Sequence, residues 1–385
     1  MHPSRLLLIL CFIAFISLGL PDALLGVAWP TMADEFSTTL DRLGIIMTGG
    51  TVGYALSSFM IGAIVNRIGL AGLLIQSASL TVIALVLFMV VPDWYWMPFV
   101  ALIAGLGGGG IDAGLNAYVE KHYSSRIMQW LHASFGVGVT LGPAIMTLSL
   151  AMTGLWRPGY LLVAFLMLLM LSAFIHYRGL WSDQPSAGEP EEQGNASMLA
   201  TLKLPAAWLS MLAFFLYTSA EIGLGFWAFT LLTESRDVVL ATAGLWVTIY
   251  WGSFTLGRIL AGLLAPKFGE MNLTLFGLLM SLIGLVLFTL QLGGPGGVYG
   301  LALVGLGFAP TFPALLSTTS KRVPKSHVAN LIGMQISAAG VGLVVMPLSL
   351  SLLVSTIGLE VLAPVFLAMT LMVILLLKMF KRSSN

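Results

Sequence analysis

Three carboxylic acids lie inside apolar runs of this 385-residue sequence. An ionised carboxylate at the centre of a bilayer costs about 2.5–3.5 kcal/mol, so each should face a wet, protein-lined cavity or be protonated. A carboxyl that is protonated in one access state and ionised in the other would carry protons. We predict Asp112 as the principal proton site, with Asp22 and Glu221 as further proton-coupling residues. A structural carboxyl bonded to helix backbone, Ser or Thr is the alternative for each.

Several polar or aromatic side chains share these apolar runs and are candidates for binding substrate. Asn116 follows Asp112 by four residues, on the same helix face, and its amide can both donate to and accept from a hydroxyl-rich ligand. An interhelical hydrogen bond is the alternative for such residues. The other predicted substrate-binding residues are His132, Tyr217, Trp227, Asn330 and Gln335. No Lys or Arg is expected deep in a span, and the nearest, Arg258, lies toward the inner end of its helix.

Aromatic residues are abundant, and a sugar can stack its C–H face on such a ring. Packing in the core or at the membrane interface is the commoner role for any one of them. Trp227 is the preferred candidate because it lies close to Glu221 in the sequence. The aromatic residues considered are Trp29, Tyr54, Phe226, Trp227, Tyr250, Trp251, Phe308 and Phe312.

The composition excludes most soluble classes. Hydrophobic residues make up 58% of the chain and charged residues 9%, against roughly 45–50% and about 25% in soluble domains. The net charge of +1 excludes an electrostatic nucleic-acid partner. A single cysteine and five scattered histidines provide neither an intrachain disulfide nor a metal-ligand pattern. We therefore expect an integral membrane protein that is not an enzyme and needs no cofactor or metal.

The apolar runs predict an all-α membrane protein with twelve transmembrane helices, because each run approaches the roughly 20 residues that a span needs. The first run is assigned to a helix rather than to a cleaved signal peptide, and Pro310 with Pro313 predicts a kink in the tenth. The runs are 6–30, 43–65, 70–91, 95–119, 127–153, 158–178, 205–232, 240–265, 272–292, 297–318, 328–354 and 359–380.

The chain divides after six runs. Residues 179–203 are rich in Pro, Gly, Glu and Ser and predict a flexible linker between a bundle at 1–178 and a bundle at 204–385. With the N-terminus inside, 14 of the 17 Lys and Arg residues lie on the inner side. This distribution predicts that both termini and the linker are cytoplasmic.

An internal repeat relates the two halves. Residues 62–69 match residues 262–269 in their glycines and in one cation, and 105–107 match 305–307. Asp22 and Glu221 also correspond, at an offset of 199. The repeat predicts two pseudo-symmetric six-helix bundles with the same orientation in the membrane.

These features resemble the major facilitator superfamily. The loop containing Asn66, Arg67 and Gly69 is similar to the superfamily's helix 2–3 signature, with Asn66 in place of the usual acidic residue. This implies a gating role for Asn66, Arg67 and Arg258 at the inner side. Residues 136–143 are similar to the glycine–proline motif of helix 5. The stretches 105–117 and 131–136 resemble the fucose permease branch, a family of sugar:proton symporters that carries an acid in helix 4 followed by Asn at i+4.

The resemblance implies a monomeric secondary transporter of the plasma membrane, as in a bacterial inner membrane, with a central cavity lined chiefly by helices 1, 4, 7 and 10. The function expected is proton-coupled uptake of a small polar solute, a sugar or similar compound, by alternating access. The partners are the solute, protons and the lipid bilayer. The alternative is a proton antiporter that exports an amphiphilic compound or drug, which the helix 5 motif and the aromatic residues favour.

Overall fold

The computed structural model describes residues 5–22, 24–39, 42–181 and 196–383, and the side chain of Asp22 lies outside the described part. The predicted linker falls mostly outside it as well, since residues 182–195 are not described. The helices of the first half are α1 (Arg5–Asp22), α2 (Leu24–Glu35), α3 (Leu43–Phe59), α4 (Ile61–Val90), α5 (Met97–His122), α6 (Ser125–Thr153) and α7 (Arg157–His176).

The remaining helices begin at Met198, within the range 179–203 predicted as the linker. They are α8 (Met198–Leu202), α9 (Pro205–Thr230), α10 (Leu240–Phe268), α11 (Glu270–Thr289), α12 (Tyr299–Phe308), α13 (Thr311–Ser317), α14 (Val328–Ile357) and α15 (Leu362–Ser383). The described residues contain only helices and their connections, so the predicted all-α class is confirmed.

All twelve predicted runs have a helical counterpart. Eleven helical segments of the described chain are long and apolar enough to cross a membrane, and the twelfth counterpart is the shorter apolar helix α3. The second run is divided because Met60 leaves helical geometry, with φ −86° and ψ 0°. The predicted turn before the third run is confirmed at Gly69, whose φ of 71° a residue with a side chain rarely adopts.

Proline divides the tenth span as predicted. Helix α12 ends at Phe308 and α13 begins at Thr311, so the α-helical hydrogen-bond pattern is interrupted at Ala309 and Pro310, whose φ and ψ angles stay in the right-handed helical region. A proline lacks the N–H that would continue the hydrogen-bond ladder, and its ring crowds the preceding turn. Two carbonyl groups at this break accept side-chain hydrogen bonds, Phe308 O from the Tyr217 hydroxyl at 2.8 Å and Pro310 O from Gln129 Nε2 at 3.1 Å.

The two halves use the same helix pairings. In the first half α3 and α4 pack on α5, and α1 and α4 pack on α7. In the second half α10 and α11 pack on α12, and α9 and α11 pack on α15. The predicted repeat makes these pairs equivalent. The prediction of two pseudo-symmetric bundles is therefore confirmed.

Glycines at matching positions permit these close approaches. A Cβ atom on Gly105 would lie 1.9 Å from the carbonyl oxygen of Gly50, and one on Gly305 would lie 2.3 Å from that of Tyr250. Both contacts join positions that differ by 200 between the halves. Only a residue without a side chain lets the two backbones meet at this distance.

The chain forms two compact units. Unit 1 comprises Met1–His122, Ser134–Leu204 and Pro324–Gly340, and unit 2 comprises Tyr123–Ala133, Pro205–Val323 and Val341–Asn385. The predicted bundle limits at residues 178 and 204 stay a prediction. Large side chains such as Trp156 fill the interior of unit 1, and others such as Tyr250 fill that of unit 2.

Candidate functional site

Asp112 lies in unit 1 in a setting of neutral hydrogen-bond donors. The residue is on α5 and is 6% exposed. The Tyr54 hydroxyl donates to Asp112 Oδ2 in a short contact. Asn116 Nδ2 donates to Asp112 Oδ1 at 2.8 Å and to the Asp112 backbone oxygen at 3.0 Å. Both carboxyl oxygens therefore have a donor, and neither donor carries a charge.

The glycines that precede Asp112 explain why Tyr54 reaches it. A Cβ atom on Gly109 would lie 2.3 Å from the Tyr54 backbone oxygen, so α3 and α5 touch through their backbones at this level. The phenol of Tyr54 then extends along α5 to the carboxyl three residues later. Asn116 follows Asp112 by one helical turn and lies on the same face, as its spacing predicts.

A second buried acid, Glu221 of α9, belongs to unit 2 and is 5% exposed. The Tyr250 hydroxyl donates to the Glu221 backbone oxygen at 2.7 Å. The Tyr217 side chain, one turn earlier on α9, lies beside the Glu221 carboxyl. The charge of Arg258 on α10 acts on the Glu221 carboxyl and on both of these phenols.

Arg258 is near enough for its charge to act on Glu221, which the sequence did not predict, although the two side chains form no ion pair. Arg258 was assigned to the inner end of its helix from its position in the chain. A long flexible side chain can place its charge well away from its own Cα position, and the sequence does not state in which direction. The guanidinium carbon lies 4.3 Å from the centre of the Phe254 ring, and Nη1 is 3.5 Å from the His132 backbone oxygen.

His132 lies in the same part of unit 2 as Arg258. The imidazole is buried, and its ring centre lies 5.2 Å from that of Phe312 in an edge-on contact. Phe312 also contacts Phe214 and Tyr217, at 5.0 and 6.5 Å between ring centres. Four predicted residues, namely Glu221, Tyr217, His132 and Arg258, thus come together around a small set of aromatic rings.

The remaining predicted residues lie elsewhere. Asn330 is buried in unit 1, where Nδ2 donates to Ala196 O at 2.7 Å and to Thr201 Oγ1 at 3.1 Å. Gln335 is also buried in unit 1. The buried Nε1 of Trp227 has no hydrogen-bond partner among the described residues.

The loop residues Asn66 and Arg67 are exposed on α4 just before the Gly69 turn. The side chain of Asp22 is outside the described part, so the structure gives no contacts for it. The roles assigned to all of these residues stay predictions.

The sequence does not indicate the role of two tyrosine hydroxyl groups. Tyr54 and Tyr250 are candidates there only as rings on which a sugar could stack. In the structure, the Tyr54 hydroxyl donates to the Asp112 carboxyl, and the Tyr250 hydroxyl donates to the Glu221 backbone oxygen. They lie 58 and 29 positions from their partners. The repeat gives no signal for these contacts, since it equates Tyr54 with Phe254 and Tyr250 with Gly50.

The described residues contain no group of three or more His, Cys, Asp or Glu side chains that could hold a metal ion. The chemistry within reach is that of the buried carboxyls and their hydroxyl and amide neighbours. In unit 1 that chemistry is binding and release of a proton at Asp112. In unit 2 it is polar recognition by hydroxyl groups and a guanidinium beside aromatic rings.

Comparison with known proteins gives consistent results. The yeast (Saccharomyces cerevisiae) protein named Bypass of stop codon protein 6 is 22% identical, over 92% of this chain and 78% of its own. The glucose/mannose transporter GlcP of Bacillus subtilis is 21% identical, over 85% of this chain and 83% of its own. The crystal structure of the transporter FucP in the outward conformation superimposes with a TM-score of 0.80 at 13% identity, covering 98% of this chain and 99% of that one.

The structural likeness concerns the fold alone, since the identity is low. A family model supports the assignment of this chain to a family, because it matches residues 7–347, which include most of the described helices. On the fold, the repeat and this match, the chain belongs to the Major Facilitator Superfamily and is a membrane transporter, not an enzyme.

Proposed function

We propose that the protein takes up a sugar or a closely similar polar solute together with protons, by alternating access. The observation that carries this proposal is the buried carboxyl of Asp112, held by two neutral donors, the Tyr54 hydroxyl and the Asn116 amide. A carboxyl in such surroundings can exist in both protonation states without leaving a charged partner unpaired. That property is what a proton carrier needs.

Glu221 differs from Asp112 in its partner. The positive charge of Arg258 acts on Glu221, whereas the hydrogen-bond donors to Asp112 are neutral. A cation near enough to act on a carboxyl opposes its protonation. We therefore assign the transported proton to Asp112 and assign Glu221 to ordering the polar groups of unit 2.

The names of similar proteins support a sugar as substrate. GlcP of Bacillus subtilis is named a glucose/mannose transporter, and FucP of E. coli is named a fucose:proton symporter. The hydroxyl, amide and ring groups of Asn116, Tyr217 and Trp227 are of the kinds that bind sugars. We retain these three, with His132 and Gln335, as the proposed substrate-binding residues. Asn330, whose Nδ2 is occupied by Ala196 O and Thr201 Oγ1, is instead assigned a structural role.

The proposed location is the plasma membrane, as in a bacterial inner membrane, with both termini in the cytoplasm. The inner side then carries 14 of the 17 Lys and Arg residues, as membrane insertion favours. Asn66 and Arg67 lie on this side and are exposed, so they remain the proposed gating residues with Arg258. We propose a monomer that uses the proton gradient as its energy source and binds no cofactor.

The test is a screen of sugars against proton movement in purified protein reconstituted in weakly buffered liposomes. Adding glucose, mannose, fucose or xylose outside should make the external medium more alkaline when the protein is present. Sodium-free buffer with choline should give the same signal. A signal that requires sodium would overturn proton coupling, and silence with every sugar together with proton-driven dye efflux would favour the antiporter.

A further inference from the structure

The two oxygens of the Asp112 carboxyl face chemically different partners. Oδ1 receives a hydrogen bond from the Asn116 amide, and Oδ2 receives one from the Tyr54 hydroxyl. If Asp112 carries the transported proton, that proton must bind one of these two oxygens. The partners decide which one.

The orientation of the Asn116 amide is fixed by two acceptors. Nδ2 lies 2.8 Å from Asp112 Oδ1 and 3.0 Å from the Asp112 backbone oxygen. Since both are oxygens that accept, the nitrogen and not the oxygen of the amide must face them. An amide nitrogen donates two hydrogens and accepts none. A proton on Oδ1 directed at Asn116 would therefore have no acceptor and would meet an N–H group.

Tyr54 has the opposite property. A phenol donates one hydrogen and can also accept, and its hydrogen rotates at little cost. The hydroxyl can thus donate to an ionised Oδ2 and accept from a protonated one. No such reversal is open to Asn116 without losing its bond to the backbone of α5.

The ring of Tyr54 is positioned by two glycines on different helices of unit 1. A Cβ atom on Gly108 of α5 would lie 3.7 Å from the ring, and one on Gly340 of α14 would lie 3.5 Å from it. Tyr54 is half-buried whereas Asp112 is buried. Tyr54 therefore connects the carboxyl with less buried surroundings, and its ring lies beside Gly340 of α14.

The side chains of neighbouring helices that lie nearest the Gly107–Gly110 backbone are uncharged. Those from α3 and α4 present hydroxyl groups, the Tyr54 ring and the hydrocarbon of Leu73, and the α1 side chain is Leu18. Among the described side chains, Tyr54 is the one titratable group in contact with the Asp112 carboxyl. The hydroxyl groups belong to Ser57, Ser58, Ser77 and Thr81.

We propose that the transported proton binds Asp112 at Oδ2 and that Tyr54 is the positioning residue that selects this oxygen. In the ionised state the Tyr54 O–H donates to Oδ2. When a proton arrives from water, an Oδ2–H bond forms, the phenol hydrogen turns away, and the phenol oxygen accepts from Oδ2–H. No bond of the tyrosine breaks, and one proton is gained. The inference rests on Asp112 as the proton site.

The direct test is Tyr54→Phe, which keeps the ring between Gly108 and Gly340 and removes one oxygen. The hydrogen bond lost is stronger for the ionised carboxylate than for the protonated acid, because charge strengthens it. Uptake that needs protonated Asp112 should then persist to higher pH, with its midpoint raised by about one pH unit or more. Exchange of labelled for unlabelled sugar should remain.

Tyr160→Phe is the matched control. It removes a phenol oxygen from a fully buried tyrosine of α7 in the same unit, where the ring packs on Phe88 and Trp156. Its pH profile should coincide with that of the wild type. A Tyr54→Phe profile that also coincides with the wild type, while Asp112→Asn abolishes accumulation, would overturn the role of Tyr54 and leave the proposed function standing.

If Tyr54→Phe does not yield folded protein, infrared difference spectra of the wild type keep the inference testable. The C–O stretching mode of a tyrosine reports whether its hydroxyl donates or accepts. Protonation of Asp112 should change a tyrosine mode at the same pH at which the carboxylate band disappears, and both changes should be absent from Asp112→Asn. A carboxylate band that titrates without any tyrosine change would contradict the inference.

Discussion

Met89 and Phe288 stand 199 positions apart, and the backbone oxygen of each accepts a hydrogen bond from an arginine. Arg157 Nε donates to Met89 O at 3.0 Å, and Arg236 Nη1 donates to Phe288 O at 2.7 Å. Both guanidinium groups also bind a carboxylate through two nitrogens. In each half, therefore, the arginine of a bidentate ion pair also binds the backbone at the end of the third span.

The acid and the cation of this ion pair exchange positions between the two halves. In unit 1 the acid Glu35 ends α2 and the cation Arg157 begins α7, with 2.6 Å between Nη2 and Oε1. In unit 2 the cation Arg236 follows α9 and the acid Glu360 precedes α15, with 2.6 Å between Nη2 and Oε2. The two ion pairs have the same geometry, but the acid and the cation stand at exchanged positions. An alignment of the halves by residue type therefore cannot detect that the two ion pairs are equivalent.

The two ion pairs should differ in their contribution to stability. The side chain of Arg236 is 1% exposed and that of Arg157 is 37% exposed. Replacing Arg236 with Gln removes one charged donor from the Phe288 carbonyl and two from the Glu360 carboxylate, which should cost about 1–3 kcal/mol. The carboxylate keeps its hydrogen bond from Ser235. Arg157→Gln should cost about 0.2–1 kcal/mol, as for exposed pairs. Thermal unfolding of the two variants in detergent measures the difference, and equal losses would contradict this reading.

The close contact of α3 and α5 at Gly105 should not tolerate a methyl group. A Cβ atom there would lie 1.9 Å from Gly50 O, so Gly105→Ala must push two backbones apart. We expect a large loss of folded protein, seen as aggregation in size-exclusion chromatography.

Gly136→Ala is the control, since a Cβ atom on Gly136 meets nothing within 4 Å. Alanine favours a helix over glycine by up to about 1 kcal/mol, so this variant should be as stable as the wild type or more so. A similar loss of folded protein in both variants would show that open space around a glycine does not predict whether alanine is tolerated there.

Asn330 offers a test between a structural and a substrate-binding role. Its Nδ2 is occupied by Ala196 O and Thr201 Oγ1, which connects the start of α14 to the last part of the predicted linker range. We expect Asn330→Ala to lower the melting temperature while leaving KM for the sugar unchanged. Asn272→Ala, at an exposed asparagine of α11, should change neither quantity. A raised KM at an unchanged melting temperature would instead support the substrate role predicted for Asn330.

Glu221 and Arg258 should behave as a coupled pair. Glu221→Gln removes one of the two groups that act on each other, and Arg258→Gln removes the other. Each single variant should therefore lower the melting temperature, and the double variant should lose less than the sum of the two, because no charge is then left alone. Losses that simply add in the double-mutant cycle would mean that the two side chains do not interact.

The spans and their breaks could be predicted because they depend on local properties. Twenty apolar residues mark a span wherever they occur, and Pro310 interrupts a helix through its own ring. The break at Met60 could not be predicted in this way, since no glycine or proline stands there. The pairing of Asp112 with Asn116 also followed from the sequence, because positions four apart share a helix face.

The contacts between helices could not be predicted to the same extent. Tyr54 meets Asp112, and Arg258 acts on Glu221, only because of how neighbouring helices are rotated and how closely they pack. Residue spacing within one helix contains no such information. The glycines of α5 indicate a close approach to some partner, but they do not say that α3 provides it or that a tyrosine lies at the contact.

The central claim, that Asp112 carries the proton, is tested most directly by Asp112→Asn in liposomes with an imposed gradient of one pH unit, acidic outside. For one proton per sugar this gradient supports about tenfold accumulation, since one pH unit corresponds to 1.36 kcal/mol. If Asp112 carries the proton, the wild type and Glu221→Gln accumulate sugar, whereas Asp112→Asn only equalises the two sides while still exchanging labelled sugar. Accumulation by Asp112→Asn at the wild-type level would contradict it.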